Sequence, residues 1–371
     1  MMSKNEISEL LSLHQALVKI PSVSGSEDEI VTFVADYLKD RGADVEIHER
    51  NVIAWSPENP NPDLVFNSHL DTVPVSKAWT RDPYDVGQVS DRTFGLGSND
   101  AKASVAAMIF SFLRVLDCDP ANAWGLTLVA DEETGGRGSE IVIPRVQKMG
   151  WPVRGIVVGE PTGLAIATSQ KGLLIVEVSH QGTVCHSANA TKLGAKNAIV
   201  ELAKDIAVVN ALDLGKPHPE LGSTSIQPTV MEAGGARNTL PQEAKCLFDI
   251  RTSPGETHED LIQKIDDTSE GDVNVVSKRL RSMECPPEAE VLKAALAANP
   301  QATCYGSPTM SDWVYCGDIA AIKCGPGESV RSHQGDEYVL HDELVKGVEF
   351  YFALGSHFKK GRTHGSAMEQ G

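Results

Sequence analysis

The first half of the chain alternates short apolar runs with longer stretches that have the composition of helices. Short apolar runs are typical of inner strands, and strands that alternate with helices predict an α/β sheet layered with helices. Residues 101–116 contain neither glycine nor proline and are largely apolar, which predicts a buried helix. The runs that we assign to inner strands are residues 64–66, 126–130, 155–158 and 319–323.

A helix near the N-terminus has explicit start and stop signals. Ser26-Glu-Asp-Glu29 fits a capping box, in which a serine and a glutamate three residues later satisfy each other's backbone N–H groups. An apolar stripe with helical spacing follows, and Gly42 marks the end. We therefore expect a capped helix that begins at Ser26.

The second half of the chain has a different pattern. At 371 residues the chain exceeds one typical domain, so two domains are expected. From about Lys171 the signals predict an inserted α+β unit with a helix over residues 194–209. This unit ends near Arg281, and Pro286-Pro287 marks the return to the first domain. The expected bounds are 1–170 with 285–371 for the first domain and 171–284 for the insert.

Composition excludes several classes of partner. The formal net charge of −18 repels nucleic acid and anionic membranes, and no run approaches the ~20 apolar residues that cross a bilayer. The seven cysteines form no CxxC pair, and the first residues lack the features of a signal peptide. These observations predict a cytoplasmic protein with reduced thiols.

Histidines and carboxylates gather at the predicted strand ends, where active sites are usually built. Each residue alone has a structural explanation, such as a strand-end histidine, a helix-capping aspartate or a solvated acidic loop. Their coincidence in one domain instead predicts a two-metal hydrolytic site, and histidine with carboxylate suits zinc, cobalt or manganese. The candidates are His69, Asp71, Asp100, Glu132, Glu133, Glu160 and His333.

Two pairs among the candidates have spacings that suit metal chemistry. His69 and Asp71 are two apart on a strand and so face one side, where the carboxylate can orient a metal-bound imidazole. Glu132 and Glu133 are adjacent and point in different directions. One can therefore bind metal while the other takes a proton from water.

Five segments carry a resemblance to a known family, in its order and spacing over nearly the whole chain. They are Ser68-His-Leu-Asp-Thr-Val-Pro74, Gly95-Leu-Gly-Ser-Asn-Asp-Ala-Lys102, Asp131-Glu-Glu-Thr-Gly-Gly136, Gly159-Glu-Pro-Thr162, and Gly325-Pro-Gly327 with Ser332-His333. The chain resembles the co-catalytic zinc hydrolases of the aminoacylase and carboxypeptidase type, and most of all the acetylornithine deacetylase branch. The resemblance implies a zinc-peptidase-like catalytic domain, with a mixed central sheet flanked by helices, and an inserted α+β dimerisation domain.

The resemblance also implies a role for each candidate. His69 and Glu160 would hold one divalent ion, Glu133 and His333 the other, and Asp100 would bridge them. The expected ions are Zn²⁺, with Co²⁺ or Mn²⁺ as substitutes. Asp71 would orient His69, and Glu132 would be the general base.

The inserted domain carries further candidates. In Val184-Cys-His-Ser187, the resemblance places His186 where the family uses a histidine that reaches the partner's active site in a homodimer. Asn238 and Arg251 lie in segments that match substrate contacts, and a guanidinium fork suits the α-carboxylate of an amino acid.

The expected reaction is metal-dependent hydrolysis of a small N-acyl amino acid. The resemblance favours N-acetylornithine, cleaved to ornithine and acetate in arginine biosynthesis. The alternatives are N-acetylcitrulline, an N-succinyl amino acid or a lysine-pathway intermediate; an aminopeptidase; and, from another class, a non-catalytic metal-binding protein of the same fold. A succinyl substrate would require an additional cation that the sequence does not reveal.

Overall fold

The structure is a computed structural model that describes residues 2–87, 89 and 91–365. The described chain divides into two compact units. Unit 1 takes the residues up to 168, then 285–305 and those from 311 onward; unit 2 takes 169–284 and 306–310.

The strands are numbered in chain order. They are β1 (Asp44–His48), β2 (Asn51–Trp55), β3 (Leu64–His69), β4 (Arg92–Phe94), β5 (Trp124–Val129), β6 (Gly155–Val158), β7 (Ile166–Gln170), β8 (Gly172–Gln181), β9 (Ser225–Ala233), β10 (Glu243–Thr252), β11 (Asp272–Leu280), β12 (Met283–Glu284), β13 (Cys304–Ser307), β14 (Ala321–Lys323) and β15 (Tyr338–Leu340). The helices are α1 (Lys4–Lys19), α2 (Asp28–Lys39), α3 (Lys102–Cys118), α4 (Arg137–Lys148), α5 (Ala190–Leu193), α6 (Ala198–Val209), α7 (His258–Thr268), α8 (Glu290–Ala298) and α9 (His341–Gly365).

Unit 1 is built on a mixed sheet in the order β1-β2-β5-β3-β6-β14-β7. Strands β5, β3, β6 and β14 are parallel to one another, whereas β1, β2 and β7 pair in the antiparallel sense. Every residue of β3, β5 and β6 is buried, which is why these strands contain apolar runs such as 64–66 and 155–158 rather than an alternation of apolar and polar residues. The expected α/β fold with a mixed central sheet and flanking helices is confirmed.

Aromatic side chains fill the core beside the central strands. The Phe66 ring on β3 lies 5.3 Å from the ring of Trp124 and 5.6 Å from that of Tyr351, centroid to centroid. Tyr351 belongs to α9, which also packs against α3. These contacts join β3 to β5 and to α9, and the carboxyl ends of the parallel central strands meet at one edge of the sheet.

Unit 2 contains an antiparallel sheet that, among the described residues, has the order β11-β8-β10-β9. Alternate residues of β8 and β10 are buried, as expected for a sheet with one covered face. Helices α6 and α7 pack on that sheet, and Leu174, Val176, Phe248 and Ile250 lie in its core.

Two local expectations are wrong. Helix α2 begins at Asp28 without a side-chain cap, because the Glu27 carboxylate instead accepts the N–H groups of Gly25 and Asp131 and pairs with Arg50. The helix expected over 194–209 is interrupted, since Gly194 takes a left-handed conformation (φ +57°) that ends α5. Helix α6 then starts at Ala198.

All seven cysteines carry thiols rather than disulfides. Within the described ranges, no helix combines the length and apolar character needed to cross a membrane.

Candidate metal centre

The carboxyl edge of the central sheet gathers the residues singled out above. His69 is the last residue of β3, Glu132 and Glu133 follow β5, and Glu160 follows β6. Since these strands are parallel and adjacent, their ends lie side by side. Asp100 and His333 reach the same place from the turn before α3 and the loop before β15.

The five candidate ligands form two overlapping clusters. Donor atoms of His69, Asp100 and Glu160 all lie within 4.8 Å of one another, as do those of Asp100, Glu133 and His333. Asp100 belongs to both sets. Two imidazoles and three carboxylates divided in this way form the donor set of a two-metal site, with Asp100 able to offer one oxygen to each ion.

The His69 ring is oriented from both sides. Its Nε2 lies 3.3 Å from Oδ1 of Asp100, and its Nδ1 lies 3.0 Å from the backbone oxygen of Asp71. The Asp71 carboxylate is farther from Nδ1, at 3.5 Å. Burial alone would lower the pKa of His69, but the hydrogen bonds of Asp100 and Asp71 raise it well above its usual value.

The Asp71 carboxylate mainly holds the loop that carries the glutamates. It accepts the N–H groups of Glu132 (3.1 Å) and Glu133 (3.2 Å) and the Ser24 hydroxyl (2.7 Å). Asp71 therefore joins the positions of His69 and the adjacent glutamates. This contribution of its side chain was missed in the sequence.

His333 and Glu133 pair directly across the cluster. Nε2 of His333 lies 3.0 Å from each Glu133 oxygen and 3.8 Å from Oδ2 of Asp100. The hydrogen bond that His333 makes to the Glu133 carboxylate raises the pKa of His333 to about 9.

The pKa values of Glu160 and Glu132 are raised because these carboxyls are buried and, to a smaller extent, because other carboxylates lie close by. Burial, followed by the charge of Asp100, raises the pKa of Glu160 to about 8. Burial also raises the pKa of Glu132 well above its usual value, and neighbouring carboxylates add to the effect. Divalent cations would relieve this repulsion, so the residues present fit a pair of metal ions.

Two ionisable residues of unit 1 near this centre were missed in the sequence. Asp312 is buried and neither of its oxygens meets hydrogen-bond geometry with a described residue, although the Ser139 hydroxyl is near enough to lower its pKa in part. Burial nevertheless raises the pKa of Asp312 to about 7. Lys323 is a buried cation at the end of β14, and burial lowers its pKa. The sequence did contain a signal for Lys323, because a lysine stands inside the apolar run 319–323 that we assigned to an inner strand.

The metal-free protein is expected to lose stability as pH rises from about 5 to 8. The pKa values of Glu160 (about 8), Asp312 (about 7) and Glu337 (about 7) are all raised by burial. The folded chain therefore holds protons that the unfolded chain has released, so the free energy of unfolding falls with pH. His14 and Lys102, whose pKa values are lowered by burial to about 4 and about 7, oppose this, because the unfolded chain keeps their protons to higher pH.

Thermal melting in the presence of a chelator checks this expectation. The melting temperature should fall on the order of 5 °C between pH 5 and 8, and the slope should be shallower for Glu160→Gln. Zn²⁺ should reduce the fall because the metal displaces the proton of Glu160. A melting temperature that rises across this range would contradict the assignment.

The three candidates of the inserted segment all lie in unit 2 and are exposed. His186 and Asn238 are on neighbouring segments, where the Ser187 N–H donates to the Asn238 carbonyl at 2.9 Å. The Arg251 guanidinium is held by Asp249, with Nε and Nη2 at 2.8 and 3.1 Å from its two oxygens.

Comparison with known proteins gives consistent matches over the chain. The family model described as Peptidase family M20/M25/M40 matches residues 65–356. A protein named "Probable carboxypeptidase" from Aspergillus clavatus is 30% identical over 94% of this chain and 88% of its own length. Among solved structures, aminopeptidase PepT from Bacillus cereus has a TM-score of 0.75 at 20% identity, covering 95% of this chain and 99% of that one. The YXEP protein of Bacillus subtilis, described as a dinuclear metal binding peptidase, has a TM-score of 0.69 at 14% identity, covering 95% and 98%.

Proposed function

The chain belongs to peptidase family M20/M25/M40, and from this premise we propose that it is a two-metal hydrolase that cleaves the amide bond of a small N-acyl amino acid. The observation that carries the proposal is the sharing of Asp100 between two donor clusters, with Glu132 close enough to His69, Glu160 and Glu133 to interact with their charges. The substrate that we favour is N-acetylornithine, which would be cleaved to ornithine and acetate in arginine biosynthesis.

The proposed ligands are divided as the clusters suggest. His69 and Glu160 would hold one ion, Glu133 and His333 the other, and Asp100 would contact both. Zn²⁺ suits these nitrogen and oxygen donors, with Co²⁺ or Mn²⁺ as substitutes. Bound ions would supply a water that is nucleophilic near neutral pH and would polarise the amide carbonyl.

Glu132 is the proposed general acid and base. The side chain of its neighbour Glu133 is hydrogen-bonded to His333, and the backbone N–H groups of both glutamates donate to Asp71. Glu132 is therefore left to take a proton from the attacking water and to return it to the leaving amine.

Substrate recognition is assigned to residues of unit 2. Arg251, which Asp249 holds in a fixed orientation, would bind the free α-carboxylate together with Asn238. A carboxypeptidase substrate also presents a free carboxylate beside the scissile amide. The curated relatives that are named as probable carboxypeptidases therefore favour that activity as a second candidate.

The first experiment measures amine release by metal-stripped protein before and after addition of Zn²⁺ or Co²⁺. The panel contains N-acetylornithine, N-acetylcitrulline, an N-succinyl amino acid, an N-acetylated lysine-pathway compound and an N-blocked dipeptide. Metal-restored turnover that is fastest on N-acetylornithine supports the proposal, and a preference for another substrate replaces the acyl or amino acid assignment. Metal binding without turnover of any amide would favour a non-catalytic protein of this fold.

We place the protein in the cytoplasm because its seven cysteines are all thiols.

We also propose that the protein is a homodimer. Strand β9 is at the edge of the unit 2 sheet, and its residues from Gln227 onward are exposed. Val230 and Met231 on this strand are 46% and 57% exposed. An exposed apolar edge strand is a surface that natural proteins usually cover, and a second copy would cover it while bringing His186 to its partner.

Two variants separate assembly from catalysis. Val230→Lys combined with Met231→Lys should give a monomer by light scattering, and this variant should bind metal normally but lose turnover. His186→Ala should remain dimeric, bind metal and lose about 10²-fold in kcat, the typical loss of one donor to a developing oxyanion. A fully active monomer would remove His186 from the mechanism.

A further inference from the structure

Glu337 is a buried carboxylate outside the ligand set, and it binds the turn that carries Asp100. Its side chain accepts three backbone N–H groups, from Gly97 at 3.2 Å, Asn99 at 2.8 Å and Asp100 at 2.9 Å. Its own carbonyl accepts a fourth, from Gly95 at 3.0 Å. Glu337 is only 2% exposed.

The turn that Glu337 binds has internal backbone hydrogen bonds from the N–H groups of Ser98 and Lys102, at 3.0 Å each, whereas the N–H groups of Asn99 and Asp100 donate to Glu337. It contains Gly97 in a left-handed conformation (φ +77°), and a Cβ at this position would collide with Thr72. Helix α3 follows with Ala101 as its N-cap and no capping side chain. The direction of the Asp100 side chain therefore depends on what holds the N–H groups of this turn.

The chain segment that contains Glu337 also carries His333. Glu337 is four residues further along the chain and directly precedes β15, which pairs with β4. A second attachment joins these segments, because the Asn99 side chain accepts the Glu328 N–H (2.9 Å) and donates to the Glu328 carbonyl (3.1 Å). Two ligand-bearing loops are thereby fastened to each other, with Glu337 at the centre of the attachment.

We propose that Glu337 is a positioning residue of the metal centre: by fixing the turn before Asp100 against the segment of His333, it sets the separation and orientation of the ligands that the two ions share. The inference rests on the two-metal site of the proposed function. It assigns Glu337 no contact with metal or substrate.

The role requires both oxygens of a carboxylate at this reach. Glutamine keeps one acceptor but places an NH₂ group against one of the N–H donors of the turn. Aspartate keeps the charge but is one carbon shorter, so it cannot span the same amides. Groups that orient metal ligands typically contribute 10- to 100-fold to metal affinity.

Charge alone is the competing explanation. A buried anion beside two cations would raise metal affinity from any orientation. Glu337→Asp distinguishes the two, because it preserves the charge and loses the geometry. Positioning predicts that Glu337→Asp and Glu337→Gln weaken metal binding alike, whereas charge alone predicts a defect only in Glu337→Gln.

The experiment titrates Co²⁺ and Zn²⁺ into metal-stripped wild type and both variants, with calorimetry and the visible Co²⁺ spectrum as readouts. We expect a loss of affinity of about 10- to 100-fold in both variants and an altered Co²⁺ spectrum. The matched control is Asp205→Asn in unit 2, where a buried carboxylate likewise accepts two backbone N–H groups, from Glu270 and Gly271. That variant should melt earlier but bind metal as the wild type does.

The outcomes separate the inference from the function on which it rests. Wild-type metal affinity in Glu337→Asp, whatever the affinity of Glu337→Gln, would overturn the positioning role alone. A wild type that binds no metal would instead overturn the proposed metal centre. If circular dichroism shows that neither Glu337 variant folds, Asn99→Ala loosens the same attachment without removing a charge, and unchanged metal affinity in that variant would overturn the proposal.

Discussion

Replacing Glu132 with glutamine is expected to lower kcat by about 10³-fold while both metals remain bound. Glutamine has nearly the shape of glutamate, and the loop is held by the bond from the Glu132 N–H to Asp71, which the substitution leaves intact. What is lost is the group that accepts and returns a proton. Initial rates of amine release, with metal content measured on the same samples, check the expectation.

The control for this variant is Glu140→Gln. Glu140 is exposed in the first turn of α4, eight residues from Glu132, so the substitution changes the net charge equally. It should leave kcat within about twofold of the wild type, as surface changes usually do. Near-normal turnover by Glu132→Gln with full metal content would show that another group moves the proton.

The inner strands of the central sheet could be predicted because they bury both faces. Runs such as residues 64–66 and 155–158 are apolar at every position, and such runs mark inner strands whatever surrounds them. The helix signals were less reliable because they compete with tertiary contacts. Ser26 and Glu29 fit a capping box in sequence, yet in the fold α2 begins at Asp28 without a side-chain cap, and the Glu27 carboxylate serves Asp131 and Arg50.

That the candidate ligands come together could be predicted because each stands next to a recognisable strand or glycine-bearing loop. Glu337 could not, since its function is to accept backbone N–H groups, and any residue type supplies those. The bond from the Asp100 N–H to Glu337 joins residues 237 apart in the sequence. No local pattern records a contact of this kind. Asp312 was missed for the related reason that its burial depends on packing against distant elements.

The position of Asp100 also explains why the site needs such extensive support. A carboxylate that serves two ions must present both oxygens in fixed directions, and errors in either direction affect both clusters. The structure holds this residue through its own N–H to Glu337 and through contacts of its oxygens with His69 and His333. Asp100 is therefore the residue whose loss should be least tolerated.

Asp100→Asn is accordingly expected to lose metal as well as turnover. The amide offers one acceptor oxygen and an NH₂ group that cannot bind a cation, so it can serve at most one cluster. Metal content should fall from two ions to one or none, with a loss of affinity above about 100-fold, since orienting groups alone account for 10- to 100-fold. The fall in kcat should exceed that of Glu132→Gln and should not be restored by excess Zn²⁺.

The matched control is Asp91→Asn, because Asp91 is an exposed aspartate paired with Arg92. This variant should bind two ions. If Asp100→Asn kept two tightly bound ions, the two clusters would not share a ligand, whereas loss of metal here and its retention in Glu132→Gln would separate the bridging ligand from the base.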